Sequence, residues 1–265
     1  MIIPRKFKTI NVHEHVRADE HGELNVSLAQ ELLHAADLLG IDRLCVSLPS
    51  SEKLVDAQQF HQHNNVVWQA MQLSPRFLGF CFVNPRFPAE ALKEIELCIS
   101  QRKMSGIKLY HQHFIDADEQ REILDLAAQL AVPVLVHAGK CTDPGTIAAQ
   151  PRLSNAGHFL QALRKFPNTI FIQGHIGGGG DWEWNLRTLE GVDSHNYYLD
   201  ISGSVIDSGM IRRCVETIGS KRLLFATDGS LEEGVGKLMA AKLSEEEMRQ
   251  ICHDNFMHIL KRRKV

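Results

Sequence analysis

The chain alternates along its length between short apolar runs and longer amphipathic stretches. The apolar runs are rich in β-branched residues and end in loop-forming residues, which is typical of buried parallel strands. The amphipathic stretches have the 3.6-residue spacing of helices. The alternation therefore predicts eight strand–helix units. The predicted strands are residues 9–13, 43–48, 77–83, 106–110, 132–137, 169–174, 197–201 and 222–226.

Capping residues place helices between these strands. Ser27 is predicted to cap the first helix, which ends before Gly40. Ser244 and Glu247 form a capping box at the start of the last helix. The predicted helices are residues 27–39, 56–73, 88–101, 118–130, 157–165, 182–189, 207–218 and the one that begins after Ser244. Eight such units in 265 residues predict one α/β domain, a single (β/α)₈ TIM barrel that spans residues 1–265.

Four of the predicted strands lead into residues of the metal-binding type. The segments are NVHEH (11–15), VLVHAG (134–139), IQGHIGG (172–178) and LLFATDGS (223–230). Histidine and aspartate together are borderline-to-hard ligands that suit Zn²⁺, Mn²⁺ or Fe²⁺. The cysteines are not clustered, which argues against a structural zinc site and favours an open catalytic one.

Side-chain alternation along a strand predicts where these residues point. In the first segment, Asn11, His13 and His15 are predicted to share one face, with Ile10 and Val12 on the other. The histidine or aspartate of each other segment is likewise predicted to oppose the apolar residues of its strand. The polar residues would then meet inside the mouth of the barrel, and helices would cover the larger apolar side chains.

Composition excludes several classes of protein. The chain is 44% hydrophobic and 23% charged, which predicts a substantial core and little disorder. A net charge of −3 argues against nucleic acid or an anionic membrane as the main partner, and the basic run 261–264 is interpreted as the solvated end of the last helix. Residues 1–10 lack the apolar core of a signal peptide, no stretch approaches a membrane span, and the six cysteines suit a reducing compartment, so a cytoplasmic location is predicted.

The four segments, in this order, resemble the motifs of the amidohydrolase superfamily. The closer resemblance is to its amidohydrolase-related branch, which includes aminocarboxymuconate-semialdehyde decarboxylase, lactonases and hydratases. It covers nearly the whole chain, from NVHEH to the DNFMHIL run near the C-terminal end. It implies a TIM barrel that uses one divalent metal ion, with zinc as the first candidate and manganese or iron as alternatives.

The resemblance also implies a role for each polar residue. The implied metal ligands are His13, His15, His137 and Asp228. His175 is implied to contact the metal-bound water or the substrate, and Asp228 to act as a proton shuttle as well. The chain departs from the branch at Asn11, where many members carry aspartate. A neutral residue there leaves the metal affinity and the acidity of bound water open.

Lys108 is predicted to share the inward face of the fourth strand with Tyr110. Binuclear members of the superfamily bridge two metals with a carboxylated lysine on this strand. The resembling branch is usually mononuclear, so one metal is favoured, with Lys108 pairing an acidic group on the substrate or the protein. The candidate substrate-binding residues are Lys108, Tyr110, Arg17 and Trp182.

The loops carry weaker candidates. His111 and His113 are either substrate contacts or ordinary surface histidines. The glycine run 177–180 lacks the spacing of a dinucleotide site and is interpreted as a close approach of the backbone near the metal, with Trp182 or Trp184 forming a pocket wall or packing the rim. Ser230 is a candidate polar contact, and Cys141 is interpreted as a structural cysteine, with a place near the pocket as the alternative.

Three functions follow from these residues. The leading prediction is a metal-dependent hydrolase that acts on a small carbonyl substrate, such as a lactone, amide or ester. The alternative is a metal-dependent decarboxylase or hydratase of an unsaturated or aromatic carboxylic acid, since the same ligands serve both reactions. The third is a non-catalytic metal-binding protein. The predicted partner is a small-molecule substrate, and a homodimer is left open.

Overall fold

The structure is a computed structural model that describes residue 3 and residues 8–49, 56–205, 207 and 209–264. Most of the stretch 1–10, for which no signal peptide is predicted, lies outside these residues. Within them, no helix is long and apolar enough to cross a bilayer. Eight parallel strands form one sheet in the order of the chain. They are β1 (Ile10–His15), β2 (Arg43–Ser47), β3 (Phe77–Phe82), β4 (Gly106–Leu109), β5 (Pro133–Val136), β6 (Ile170–Gln173), β7 (Tyr197–Asp200) and β8 (Leu223–Leu224).

The sheet closes on itself between β8 and β1. β8 has only two residues, and backbone hydrogen bonds continue the pairing beyond it. Val12 N–H donates to the carbonyl of Phe225, and Asp228 N–H donates to the carbonyl of His13, both at 2.9 Å. Together with the helices that connect the strands, this closure confirms the predicted (β/α)₈ TIM barrel.

The helices follow the predicted order, with two that the sequence did not predict. They are α1 (Val26–Leu39), α2 (Ala57–Leu73), α3 (Pro88–Ile95), α4 (Arg121–Leu130), α5 (Pro144–Ala149), α6 (Ala156–Lys165), α7 (Trp182–Thr188), α8 (Met210–Ile218), α9 (Leu231–Ala240), α10 (Glu245–Arg249) and α11 (Asn255–Lys261). The helices α5 and α9 were missed. The segments Glu96–Gln101 and Gln250–Asp254, which follow α3 and α10, are π-helical.

Cap geometry corrects one predicted boundary and confirms two. The oxygen of the Asn25 side chain accepts a hydrogen bond from Leu28 N–H at 3.1 Å, so Asn25 caps α1 and Ser27 lies inside its first turn. Gly40 ends α1 with a φ of 85°, a left-handed conformation that glycine adopts without steric cost. The capping box of Ser244 and Glu247 is present at α10.

Apolar side chains form one layer inside the barrel and another between the strands and the helices. On β5, Leu135 belongs to the inner layer, while Val134 and Val136 belong to the outer one. On β8, Leu224 is inside and Leu223 outside. Alternation therefore works as predicted on these two strands. Side chains of α11, including those of Phe256 and Ile259, complete the inner layer.

Alternation fails on β1, because the strand contains a β-bulge. Asn11 pairs with Leu44 of β2, and Glu14 pairs with Val46. Between these two pairs, β1 contains one residue more than β2. A bulge of this kind re-aims the side chains that follow it. Ile10 and Val12 both pack in the inner layer, so Asn11 between them faces away from it, while His13 reaches the barrel interior. The predictions that Ile10 and Val12 face the helices and that Asn11 shares a face with His13 are therefore wrong.

Alternation also fails on β6. Ile170 and Ile172 were predicted to face the helices, yet both belong to the inner layer. His175 reaches the same interior because its backbone turns, with a φ of 58°. This left-handed conformation is uncommon for a residue other than glycine and is found mainly at functional positions.

Candidate active site

Asp228, which follows β8, is the centre of a cluster of imidazoles at the carboxyl ends of the strands. Its Oδ1 lies 3.0 Å from His15 Nε2 and 3.4 Å from His13 Nε2, and its Oδ2 lies 3.0 Å from His175 Nδ1. His13, His15 and Asp228 each offer one ligand atom, and these atoms all lie within 4.8 Å of one another. Two imidazoles and a carboxylate in this arrangement fit a divalent transition metal.

His137, the remaining predicted ligand, makes a different contact. Its Nδ1 lies 2.8 Å from His175 Nε2, and its Nε2 lies 3.2 Å from Gln150 Oε1. Gln150 follows α5 directly, one of the helices that the sequence did not predict. The structure thus brings three of the four predicted ligands together and places His137 against His175.

Asp200, at the end of β7, is a member of the site that the sequence did not predict. It is fully buried, and its Oδ2 lies 2.8 Å from His13 Nδ1. His13, His175 and Asp200 form a second group whose ligand-type atoms lie within 4.8 Å of one another. The signal was present in the sequence, because in YYLDISG (197–203) an apolar run also leads into aspartate and then a loop-forming glycine.

Lys108 extends inward from β4, as its strand position predicts. Its side chain is fully buried, with Nζ 2.5 Å from His13 Nε2 and 5.1 Å from the centre of the Tyr110 ring. Burial lowers the pKa of Lys108 to about 8, and the nearby carboxylates of Asp228 and Asp200 act in the opposite direction. The lysine therefore stands directly beside the predicted metal ligands.

The electrostatics of the cluster favour metal-binding protonation states. Burial opposes ionisation of Asp228, but His175 and His13 hold the pKa of its carboxyl group well below the usual range. Burial also opposes ionisation of Asp200, but the hydrogen bond and charge of His13, together with His175 and Ser202, lower the pKa of its carboxyl group below the usual range. Burial and then Lys108 lower the pKa of His13 to about 4. At neutral pH the carboxylates are charged and His13 is neutral, as metal ligation requires.

A cavity of about 500 Å³ opens beside this cluster. His137, His175 and Asp228 lie on its wall, together with hydroxyl groups and the glycine run. A Cβ on Gly178 would lie 2.7 Å from the Cβ of His175, so the predicted close approach of this backbone is present. A larger cavity of about 770 Å³ lies at the amino-terminal ends of β7 and β8, at the opposite end of the barrel. The His/Asp cluster, rather than volume, marks the candidate active site.

The other predicted residues fall inside and outside this site. The Tyr110 ring lies 5.6 Å from that of His137, and the His111 ring lies 6.0 Å from it. Trp182 is buried in the outer apolar layer, with the Arg213 guanidinium 5.4 Å from its ring, so it does not form a pocket wall. The five remaining candidates are more scattered. His113 lies near Glu119 and Trp184 near Lys140. Cys141 and Ser230 line the cavity, whereas Arg17 is exposed and does not line it.

Histidines and aspartates from several strand ends meet at one mouth of this barrel. This arrangement defines the class of metal-binding (β/α)₈ barrel proteins. The sequence model of the amidohydrolase family matches residues 10–257. This chain belongs to the amidohydrolase family, whose members are metal-dependent enzymes. Among curated protein sequences, none matches it significantly.

Several solved structures share this fold over nearly their whole length. The 2,6-dihydroxybenzoate decarboxylase from Rhizobium has a TM-score of 0.76 and 17% identity, covering 96% of this chain and 98% of its own. A dihydroxybenzoic acid decarboxylase from Polaromonas sp. JS666, solved with manganese and 2-nitroresorcinol, has a TM-score of 0.75 and 16% identity, covering 96% and 97%. The 4-oxalomesaconate hydratase from Rhodopseudomonas palustris has a TM-score of 0.75 and 18% identity, covering 96% of each chain.

Proposed function

We propose that this protein is a metal-dependent lyase that decarboxylates or hydrates a small aromatic or unsaturated carboxylic acid. The observation that carries the proposal is the division of the Asp228 carboxylate, whose Oδ1 faces His13 and His15 while its Oδ2 faces His175 beside the cavity. The choice of a lyase over the hydrolase that the sequence favoured is supported by the decarboxylases and the hydratase that share the fold.

His13, His15 and Asp228 would hold one divalent ion, and His137 is the fourth candidate ligand. Manganese and zinc both suit this donor set, and manganese is the ion in the Polaromonas structure. When bound, the ion would act as a Lewis acid on an oxygen atom of the substrate. Since the ion would take the lone pair of His13 Nε2, Lys108 would give up its present contact with that nitrogen and serve as a buried partner for the anionic groups of the site.

The protein's own proton transfers centre on Asp228. Its carboxylate is ionised at neutral pH, so it begins the reaction as a proton acceptor. It would take a proton from a substrate hydroxyl group or from water, and return it to the carbon atom that loses carbon dioxide or gains hydrogen. His175 donates to Asp228 Oδ2 through Nδ1 and is oriented on its other side by His137.

Hydrolysis of a lactone, amide or ester is the second candidate, and one observation favours it. The described residues that line the cavity include Asp143 and Glu233 but neither lysine nor arginine. Such a wall suits a neutral substrate better than an anionic one. The ionised Asp228 could accept a proton from water in that reaction as well.

A substrate panel separates the candidates. The metal-loaded protein would be incubated with hydroxybenzoates, with unsaturated dicarboxylic acids, and with lactones, esters and amides, while carbon dioxide, ultraviolet absorbance and acid release are recorded. We expect turnover of at least one carboxylic acid that a chelator abolishes and added metal restores. Turnover of lactones, esters or amides alone would replace the lyase by the hydrolase. A metal-loaded protein without any turnover would contradict both and favour the third candidate, a non-catalytic metal-binding protein.

A further inference from the structure

We propose that Asp200 is a positioning residue that sets the proton of His13 on Nδ1 and thereby keeps Nε2 free to bind the metal. The proposal rests on the function proposed above in one respect, namely that the group bound by Nε2 is a metal ion. Asp200 lies on β7 and is fully buried, and its Oδ2 lies 2.8 Å from His13 Nδ1.

The two oxygen atoms of Asp200 have unequal surroundings. Oδ1 accepts three hydrogen bonds: from His175 N–H at 3.0 Å, from Ser202 N–H at 2.9 Å and from the Ser202 hydroxyl at 2.6 Å. Within the described part of the chain, the hydrogen bond with His13 Nδ1 is the one that Oδ2 makes. Two of the donors to Oδ1 are backbone groups whose orientation is fixed by the end of β6 and the turn after β7.

These contacts determine the tautomer of His13. An ionised carboxylate can only accept hydrogen bonds, so the ring nitrogen that faces Oδ2 must carry the proton. Nε2 then keeps its lone pair, and it points towards Lys108 Nζ at 2.5 Å and Asp228 Oδ1 at 3.4 Å. Lys108 is a donor as well, so both sides of the ring favour the same tautomer. A carboxylate behind a metal-binding histidine commonly orients the ring in this way.

Asparagine at position 200 would reverse this assignment. Its amide has one oxygen and one NH₂ group, and the oxygen must take the place of Oδ1, because three donors converge there. The NH₂ group then faces His13 Nδ1 and needs an acceptor. His13 can provide one only by moving its proton to Nε2, which removes the lone pair that would bind a metal. An aspartate-to-asparagine change beside a catalytic histidine is known to act through the wrong tautomer.

Asp200 also acts on His175 through Ser202. Because the Ser202 hydroxyl donates to Asp200, its oxygen is left to accept from His175 Nδ1, which lies 3.1 Å away. The same nitrogen faces Asp228 Oδ2, another acceptor. One buried carboxylate thus fixes proton positions on two imidazoles of the site, and its contact with the His175 backbone holds the left-handed turn at that residue.

The test is the tautomer of His13, measured by long-range ¹⁵N–¹H correlation on the full chain labelled with ¹⁵N-histidine, after chelation and again after metal loading. A His13→Gln spectrum assigns the His13 signals. The expected result in the parent protein is a proton on Nδ1. A proton on Nε2 in the metal-free parent would overturn the proposal, whether or not any variant folds.

The Asp200→Asn variant provides the second measurement. We expect His13 to switch to the Nε2–H form and the dissociation constant for Mn²⁺ or Zn²⁺ to rise about 10- to 100-fold. A folded variant that keeps the proton on Nδ1 and the parental metal affinity would refute the inference. If the tautomer switches but the parent binds no metal, the inference on Asp200 holds and the proposed function fails. Asp193→Asn is the matched control, since Asp193 is exposed and pairs with Arg222 at the other end of the barrel. It should change neither quantity.

Discussion

Asn11 ties β1 to β8 through Thr227, a residue 216 positions away along the chain. The Asn11 amide donates to the Thr227 hydroxyl at 2.7 Å, and its oxygen accepts from Thr227 N–H at 3.2 Å. That oxygen also lies 3.2 Å from His13 N, within the bulge of β1. The Thr227 hydroxyl in turn donates to Glu14. Asn11 therefore supports the backbone of the candidate site, and its side chain does not reach the group of His13, His15 and Asp228.

Replacing Asn11 by aspartate should destabilise the fold. The new carboxylate would lie about where the amide donor now is, 3.4 Å from Glu14 Oε2, and the donor to Thr227 would be lost. We expect the free energy of unfolding at pH 7 to fall by about 1–3 kcal/mol. Urea denaturation followed by circular dichroism measures it. The penalty should shrink in acid, where the new carboxyl group is protonated in the folded state.

Asn25→Asp is the matched control for that experiment. Asn25 caps α1 from the surface, and aspartate caps helices about as well as asparagine. Its stability should change by less than about 0.5 kcal/mol. Equal losses in the two variants would show that the buried position of Asn11 has no special role.

The metal content of the purified protein should be about one equivalent per chain. His13, His15 and Asp228 supply one compact ligand set, and Lys108 Nζ lies 2.5 Å from His13 Nε2. Elemental analysis after mild dialysis measures the ratio and separates manganese, zinc and iron. Two equivalents, together with a carbamate on Lys108, would contradict the mononuclear assignment.

His175→Asn should keep the metal and lose most of the activity. His175 contacts Asp228 Oδ2 and His137 but is absent from the compact group of His13, His15 and Asp228. Loss of one positioned acid–base group commonly lowers the rate by about 10²- to 10⁴-fold. Turnover and metal content are measured on the same sample, with the exposed His21→Asn as control. A metal-free His175→Asn protein would instead make His175 a ligand.

Asp228→Asn separates ligation from proton transfer. The amide oxygen can still coordinate an ion but cannot accept a proton at neutral pH. We expect partial metal retention with activity near background, whichever of the candidate reactions the protein catalyses. Near-parental turnover by a metal-loaded variant would leave Asp228 as a ligand only.

Glu247 should stabilise the fold at neutral pH and lose this contribution in acid. Arg212 of α8 pairs with Glu247 of α10 at 3.1 Å, and hydrogen bonds from Arg212 lower the pKa of Glu247 from 4.5 to about 2. A carboxyl group whose pKa is lowered on folding stabilises the protein fully above its unfolded pKa and loses that contribution as pH falls towards the folded value. Glu247→Gln should therefore cost about 0.5–1 kcal/mol at pH 7.

The difference between the parent and Glu247→Gln should shrink as the pH falls from about 4.5 to about 2. Urea denaturation at several pH values in that range measures this. A difference that does not change with pH would show that the charge of Glu247 does not cause it, since glutamine can keep the capping box with Ser244.

The barrel and most of the site could be predicted from the sequence, because both depend on local patterns. The order of the strands follows from the βα alternation, and His13, His15, His137, His175 and Asp228 all reach the same end of the barrel, since parallel strands share their polarity. Lys108 pointed inward as its position on β4 required.

What the sequence did not predict depends on backbone geometry and on contacts distant along the chain. The bulge in β1 and the left-handed turn at His175 replaced simple alternation, and the turn falls on a residue other than glycine. The separation of His137 from the three-ligand group depends on Gln150 and His175, residues of other elements. Asp200 was missed although its strand has the same apolar-to-aspartate pattern as β8.

The seam between β1 and β8 has a consequence for how the molecule folds. His13 and His15 lie on one side of it and Asp228 on the other, 213 residues from His15. Contacts of such long sequence separation require a large loss of loop entropy and tend to form late in folding. A partly folded chain whose first and last strands have not met would carry all of its histidines and still lack the centre. In this barrel, the candidate active site is therefore complete only when the first and last strands have met.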